Sequence, residues 1–387
     1  MKTILKALKW LGFCLVAILV LFLTWFYLSY GGRGEAFENR STTPLWPADS
    51  LEIVATLPEA PGNLAVSRDG RIFCTYHAEG HPQTKVWELV NGQAVPFPNE
   101  QWQSNKNGPV FLDAIFNIRI DAKNRLWTLD HGQNGIKTPR LLCFDIESRK
   151  LVHQIDLPKN VAGLGSYVQD MQIDTACKKI YIADLSAFGE TPAIVIVDIA
   201  SKKCRRVLEK HVSVMPEGDF RVVNKGREMR PAGPFYHFHP AIDPIALDRQ
   251  NVFLYFGPMS GSIMYRAKVA DLNNASLSAA QLATRVEAYA KRGQCDGLTI
   301  DDANNIYVTD IENGSITVID STRKYYTLVA HPQMRWPDGL SFGPDGYVYV
   351  ADSDIPDVMM RSKGHMRKNA PYYLWRFKGL SSGRPGQ

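Results

Sequence analysis

Three aspartates, Asp243, Asp296 and Asp338, open related phrases: DPIALDRQNVFLYFG (243–257), DGLTIDDANNIYVTD (296–310) and DGLSFGPDGYVYVAD (338–352). Equivalent positions of a repeat converge when the repeat closes on itself. Carboxylates crowded together repel unless a proton or cation intervenes, and an oxygen-rich set suits Ca2+ or Mg2+. The competing expectation is that each Asp caps a turn through side-chain to backbone bonds. For Asp243, Asp296 and Asp338 both readings stand; for Asp130, Asp184, Asp310 and Asp352, which close such phrases, capping is expected. FYHFHPAIDP (235–244) sets His237 and His239 on one strand face just before Asp243, and His131 follows Asp130. Imidazoles near carboxylates can serve as general bases near neutral pH or as metal ligands. A basic group, Arg221, Lys225, Arg227 and Arg230, is either a solvated face or a hold on an anionic ligand. His237, His239, Asp243, Asp296 and Asp338 are expected to line one cavity. No G-x-S-x-G elbow, P-loop or H-E-x-x-H is present, which leaves hydrolase triads, nucleotide binding and zincin chemistry without support.

The elements that must position these side chains are hairpins. In 295–310, GLTI and IYVT are short β-rich runs around a turn-forming DDANN, so Asp296 and Asp310 fall at one sheet edge. The same pattern recurs at 62–77, 116–130, 169–184, 243–257 and 337–352. Aligning the apolar cores makes Gly62, Phe116, Gln169, Asp243, Asp296 and Asp338 equivalent, at steps of 54, 53, 74, 53 and 42 residues. Each step holds about four strands, and six such units predict a six-bladed β-propeller, all-β, rather than a sandwich with accidental similarity. In a propeller the innermost strands all begin at one mouth of the central channel, which is what would gather the three aspartates.

Residues 1–33 read as a membrane anchor or signal segment. Lys2, Lys6 and Lys9 precede an uncharged run of 23 residues, against the ~20 needed to cross a bilayer as a helix. Lysines before the run and a domain after it predict an exported propeller on an uncleaved anchor, single-pass, in the periplasm or cell exterior; a cleaved signal and a secreted protein is the alternative. Residues 34–50 form a linker and 51–387 the propeller, with 51–57 either opening blade 1 or closing the last blade. The stretch 275–290 fits a short helix or an outer strand, and the tail after Lys378 is expected to fray. Outside 1–33 there are 40 basic and 39 acidic residues, so nothing electrostatic calls for nucleic acid. Beyond Cys14 five cysteines remain, with no C-x-x-C, and neither a disulfide framework nor a zinc site can be read from them.

Several motifs resemble the Yellow and major royal jelly protein family: NRLWTLDHG (124–132), TPRLLCFDIESRKLVHQIDLP (138–158), IYIADLSAFGETPAIVIVDI (180–199), GHPQTKVWEL (80–89) and MRWPDGLSFGPDGYVYVADS (334–353). The resemblance covers roughly 50–378. It implies a six-bladed fold with a small-molecule pocket at one channel mouth, and bacterial relatives carry the description dopachrome tautomerase-related. The DGLTID and PDGLSF wording is instead similar to gluconolactonase and paraoxonase propellers, whose calcium sits at the mouth; their first-blade glutamate would align with Gly62 here. Three function classes follow. One is a tethered protein binding a small aromatic or amine compound, or isomerising one of dopachrome type, with His237 or His239 as base and Arg221 or Arg230 for a carboxylate. The others are a Ca-dependent lactonase using Asp243, Asp296 and Asp338, and a non-enzymatic interaction scaffold.

Overall fold

The computed structural model describes every residue except Met1, Arg33, Phe188 and Gly189. A helix, α1 (Lys2–Tyr30), precedes six four-stranded antiparallel sheets. Their innermost strands are Pro61–Val66, Ile115–Ile120, Val168–Ile173, Ile242–Leu247, Cys295–Ile300 and Pro337–Phe342, in blades 1 to 6. Each inner strand packs on the next, and the first packs on the last, so the array closes into a ring. The protein is a six-bladed β-propeller with one N-terminal apolar helix long enough to span a membrane.

Closure is done by the segment Glu52–Leu57, which pairs with Tyr372–Lys378 as the outermost strand of blade 6. The two ends of the ring are thereby joined, and the sheet edges that remain are the short outermost strands of the blades. The core lies between blades, where alternate residues of facing sheets meet. Trp127, Leu141, Ile182 and Val195 fill one such layer and Leu64, Cys74, Trp87 and Leu374 another. In blade 4 the stretch after the third strand makes two short helices, Val269–Asn273 and Ala279–Ala283, then the outer strand Glu287–Lys291. Both expected alternatives for that region are realised in succession. All six cysteines are free, and four of them are buried.

Two segments correct or extend the sequence reading. The tail is not frayed. Gly386 and Gln387 exchange backbone bonds with Ile120 and Phe342, and the Gln387 amide donates to Ile120 O at 2.7 Å. Thr299 Oγ1 donates to the Gln387 carbonyl at 3.2 Å, so the tail crosses the ends of three inner strands and closes the far end of the channel. The linker is also ordered: its Leu45 and Trp46 amides donate to Thr327 and Leu328 on the outer strand of blade 5.

The loop from 208 to 241, between blades 3 and 4, covers the near mouth. It lays Val222, Met229 and Phe238 against Met259, Ile311, Trp336 and Ile355 in one apolar cluster. This roof gives the mouth a low-dielectric lid, which sets the terms for every charged group beneath it.

Candidate functional site

Just inside the near mouth every inner strand carries a register irregularity, between Pro61 and Leu64, Ile115 and Asn117, Val168 and Met171, Ile242 and Ile245, Cys295 and Leu298, and Pro337 and Leu340. A bulge re-aims the side chains next to it. In blades 4 to 6 the polar side chain at the site is Asp243, Asp296 or Asp338, followed by Pro or Gly. In blades 1 to 3 it stands one residue later, at Asn63, Asn117 and Asp170. The glycines have a steric reason: a Cβ on Gly297 would meet Asp338 O at 2.1 Å, and one on Gly339 would meet Asn63 Cα at 2.8 Å. Only glycine lets these inner strands come so close at the bulge.

The result is a cluster of four carboxyl groups. Asp170, Asp243 and Asp296 are buried, and Asp338 is half-buried at the edge of the cavity. Asp296 accepts from Trp336 Nε1 at 2.5 Å and from the Asp243 carboxyl, which holds the shared proton. Gln169, with its amide nitrogen turned to Asp243, donates to both carboxyl oxygens at 3.0 and 2.9 Å. Asn117 donates to Asp170 at 2.5 Å, and Ser353 donates to Asp338. Beneath them lies one cation, Arg119, which is 1% exposed and donates to Asn63 Oδ1 at 2.7 Å.

Burial is the main cause that raises all four acids. It lifts Asp296 to about 6 and Asp170 to about 7, the latter partly offset by Arg119. Asp243 and Asp338 are raised further because each also feels the charge on Asp296. Two or more of the four therefore hold protons near neutral pH, and the cluster exchanges protons in the range where catalytic acids and bases work.

Rings surround the opening. Phe116 packs on His77, His131 and Tyr167 with centroids 5.6, 4.5 and 5.3 Å away. The Tyr167 hydroxyl donates to Glu79 at 2.7 Å. Burial depresses His77 to about 3 and His131 to about 4, so both imidazoles are neutral at physiological pH. The cavity at the carboxyl groups has a volume of about 30 Å3, room for a water. It adjoins two larger spaces. One, of about 540 Å3, shares Phe116 and includes His131 and Asp113; the other, of about 270 Å3, shares Tyr167, Leu185, Phe238 and Met359.

Asp243, Asp296 and Asp338 thus come together, and His131 stands at the rim. His237 and His239 do not share their cavity. The roof loop carries them beside the end of α1, where His239 also lines the space of about 270 Å3, with Asp219 3.5 Å and Glu228 3.6 Å from the two His237 ring nitrogens. Arg230 pairs with Glu228 at 2.8 Å and donates to Gly32 O, while Arg221 lies near Glu312. Neither arginine reaches the channel. Asp170, Asn117 and Arg119 were missed because the alignment placed Gln169 at the lumen; the signals were the acid one step later and the N-x-R of 117–119.

Calcium takes six to eight oxygens at about 2.3–2.6 Å. The four carboxyl groups here are engaged instead with Trp336, Gln169, Asn117, Ser353 and one another. Among the described residues no three His, Cys, Asp or Glu side chains stand at metal-holding spacing. As arranged, with Asp243 and Asp296 sharing a proton and Asp170 and Asp338 held by Asn117 and Ser353, they do not fit a calcium ion.

The sequence profile of the family described as major royal jelly protein matches residues 114–373. Major royal jelly protein 6 of Apis mellifera is 29% identical over 181 residues, 44% of this chain and 38% of its own. Major royal jelly protein 8 of the same organism is 35% identical over 71 residues, 17% of each chain. The chain thus matches well under half the length of these relatives. Among solved structures, the calcium-binding protein regucalcin of Agrobacterium tumefaciens superposes with a TM-score of 0.55 at 12% identity, over 89% of this chain and 98% of its own. A gluconolactonase of Xanthomonas campestris gives 0.53 at 12%, over 85% and 88%. At that identity the likeness is one of fold.

Proposed function

We propose, from the premise that the chain belongs to the major royal jelly protein family, that this propeller is exported, held on a membrane by α1, and binds a small aromatic amine at the near mouth. One observation carries the reading: four carboxyl groups, Asp170, Asp243, Asp296 and Asp338, face a single guanidinium, Arg119, under a rim of aromatic rings. An ammonium group would replace the protons that now hold the cluster together, and the rings would take the aromatic body and add cation–π attraction. The small inner cavity suits the ammonium head and the adjoining larger space the ring.

If the bound compound carries a labile C–H, as in a dopachrome-type isomerisation, the base is the Asp296 carboxylate, poised at about 6, in place of His237 or His239. Lactone hydrolysis is the second enzymatic class. It has the fold likeness behind it but needs a metal that the carboxyl cluster does not accommodate as it stands.

Calorimetric titration of the full chain in detergent with tyramine, and with 4-ethylphenol as its uncharged counterpart, tests the proposal. Tyramine should bind and 4-ethylphenol should not, and Asp296→Asn should weaken tyramine at least about 10-fold, roughly 1.4 kcal/mol. Equal binding of the two compounds, or none of either, would overturn it. Lactone turnover that depends on calcium would put the hydrolase class in its place.

A further inference from the structure

Strand direction assigns each loop to a face of the disc. Loops that join second to third strands, and those that lead into the next inner strand, lie on the near-mouth face. The end of α1 is fixed on that same face. The His237 amide donates to Tyr30 O at 2.6 Å, the Tyr30 hydroxyl donates to Glu190 at 3.0 Å, and the Tyr27 ring meets Phe235 at 6.3 Å. Five residues past Tyr30, Glu35 already pairs with Phe220 of the roof loop. No spacer separates the helix from the mouth, while the helix before its last turns is exposed and strongly apolar. Wherever α1 enters a bilayer, the mouth must lie at its surface.

The loops on that face are dressed for such a surface. Among the described residues outside α1, the most exposed large apolar side chains are Leu164 at 85%, Ile136 at 74%, Met360 at 66% and Val212 at 65%. All four cap near-mouth loops, and a cation stands within five residues of each: Lys159, Lys137, Arg361 and Lys210. Apolar tips with a lysine or arginine close by suit the headgroup region of a bilayer. Between this rim and the carboxyl cluster lies the cavity of about 270 Å3, walled by Phe26 of α1 together with Tyr167, Leu185, Phe238, Met359 and Met360.

We infer that the near-mouth face docks on the bilayer that α1 enters, with Leu164, Ile136, Met360 and Val212 in the headgroup region, and that the channel site is fed from the lipid side past Phe26. The docking follows from the helix and the tips alone. The nature of the cargo, an amphipathic amine that partitions into lipid, rests on the proposed amine site.

The test uses the full chain with Cys14→Ala and Cys204→Ser, the other four cysteines being buried. An environment-sensitive dye is placed at Leu164→Cys, or at Val252→Cys on the opposite face, where Val252 is 48% exposed. Vesicles of phosphatidylcholine and phosphatidylglycerol with brominated acyl chains quench a dye that contacts lipid. Quenching at least twofold at 164 and none at 252 is the expected result. A bright dye at 164 would give the tips to a protein partner or a second copy and sink the proposal, and equal quenching at both positions would sink it too. The tyramine titration in detergent involves no bilayer, so failure of the amine site and failure of docking are read separately.

Discussion

Two sets of aspartates serve the hairpins, fourteen residues apart where blades 3, 5 and 6 carry both, and live under different rules. Asp130, Asp184, Asp310 and Asp352 end second strands at the near mouth, and each accepts backbone N–H bonds from the adjoining loops. Asp184 takes Tyr167 at 2.7 Å and Ser186 at 3.0 Å; Asp352 takes Trp336 at 2.6 Å and Arg335 at 3.0 Å. Asp170, Asp243, Asp296 and Asp338, on the inner strands, are served by side chains and by one another. Burial acts on both sets. Fixed backbone donors offset it for Asp352, whereas neighbouring charge adds to it for Asp243. A carboxylate supplied with N–H donors is a structural part. One left to share a proton with its neighbour retains a demand for positive charge, and that demand is the basis of the proposed site.

The sharpest way to break the comparison is to remove a turn aspartate. Asp352→Ala strands the buried Trp336 amide and the Arg335 amide and takes a partner from Trp375 Nε1. Each unsatisfied buried donor costs about 1–3 kcal/mol, so a loss of about 3 kcal/mol is expected in urea unfolding. If Asp352→Ala costs no more than Asp338→Ala, the division into two sets fails.

How much of this could be read in the sequence follows from the same division. The hairpin repeats were plain because turn chemistry and strand alternation are local, and they were enough for six blades and for the capping role of the turn aspartates. Asp243, Asp296 and Asp338 were legible because Asp-Gly and Asp-Pro repeat in phase. Asp170 was not, since a bulge shifts which of two successive residues faces the lumen, and that depends on the pairing across the hairpin rather than on the strand's own wording. His237 and His239 sit next to Asp243 in sequence, yet the roof loop carries them to the end of α1. The tail looked loose from its Gly and Pro content; its order comes from backbone groups of inner strands far away in sequence.

A second prediction concerns pH. Asp170 and Asp296 have folded-state values of about 7 and about 6, raised from 3.8. For a raised carboxyl the stabilising contribution is complete below the unfolded value and is lost as pH rises through the folded one. Between about pH 4 and 7 each such group lowers stability by up to about 1.4 kcal/mol per pH unit. On their account melting temperature should fall from pH 5 to pH 7.5, while the depressed His77 and His131 oppose the fall up to about pH 6.5 and leave it unopposed above that. Asp130 and Glu312, also raised, add to the same trend, so the diagnostic is the difference: Asp170→Asn should flatten the slope, and saturating tyramine should do so as well. A slope that neither changes would show that the channel acids are already ionised.

The smallest expected effect separates proton sharing from metal binding. Asp296→Asn keeps the shape of the side chain, retains an oxygen for Trp336 Nε1, offers an N–H to the Asp243 carboxylate in place of the shared proton, and removes a charge from a crowded set. Its stability at pH 7 should lie within about 1 kcal/mol of the native chain, since no buried donor is left without a partner. Calcium at millimolar concentration should leave the melting temperature of both proteins unchanged, because a ligand stabilises a fold only by binding it and the cluster's oxygens are engaged with one another and with neighbouring donors. In a hard-cation site the two measurements would move together: calcium would raise the native melting temperature, a chelator would reverse the rise, and Asp296→Asn would abolish it. That joint outcome would mean that the four acids spread apart around an ion, and the inner set would then be a coordination sphere in place of a reservoir of protons.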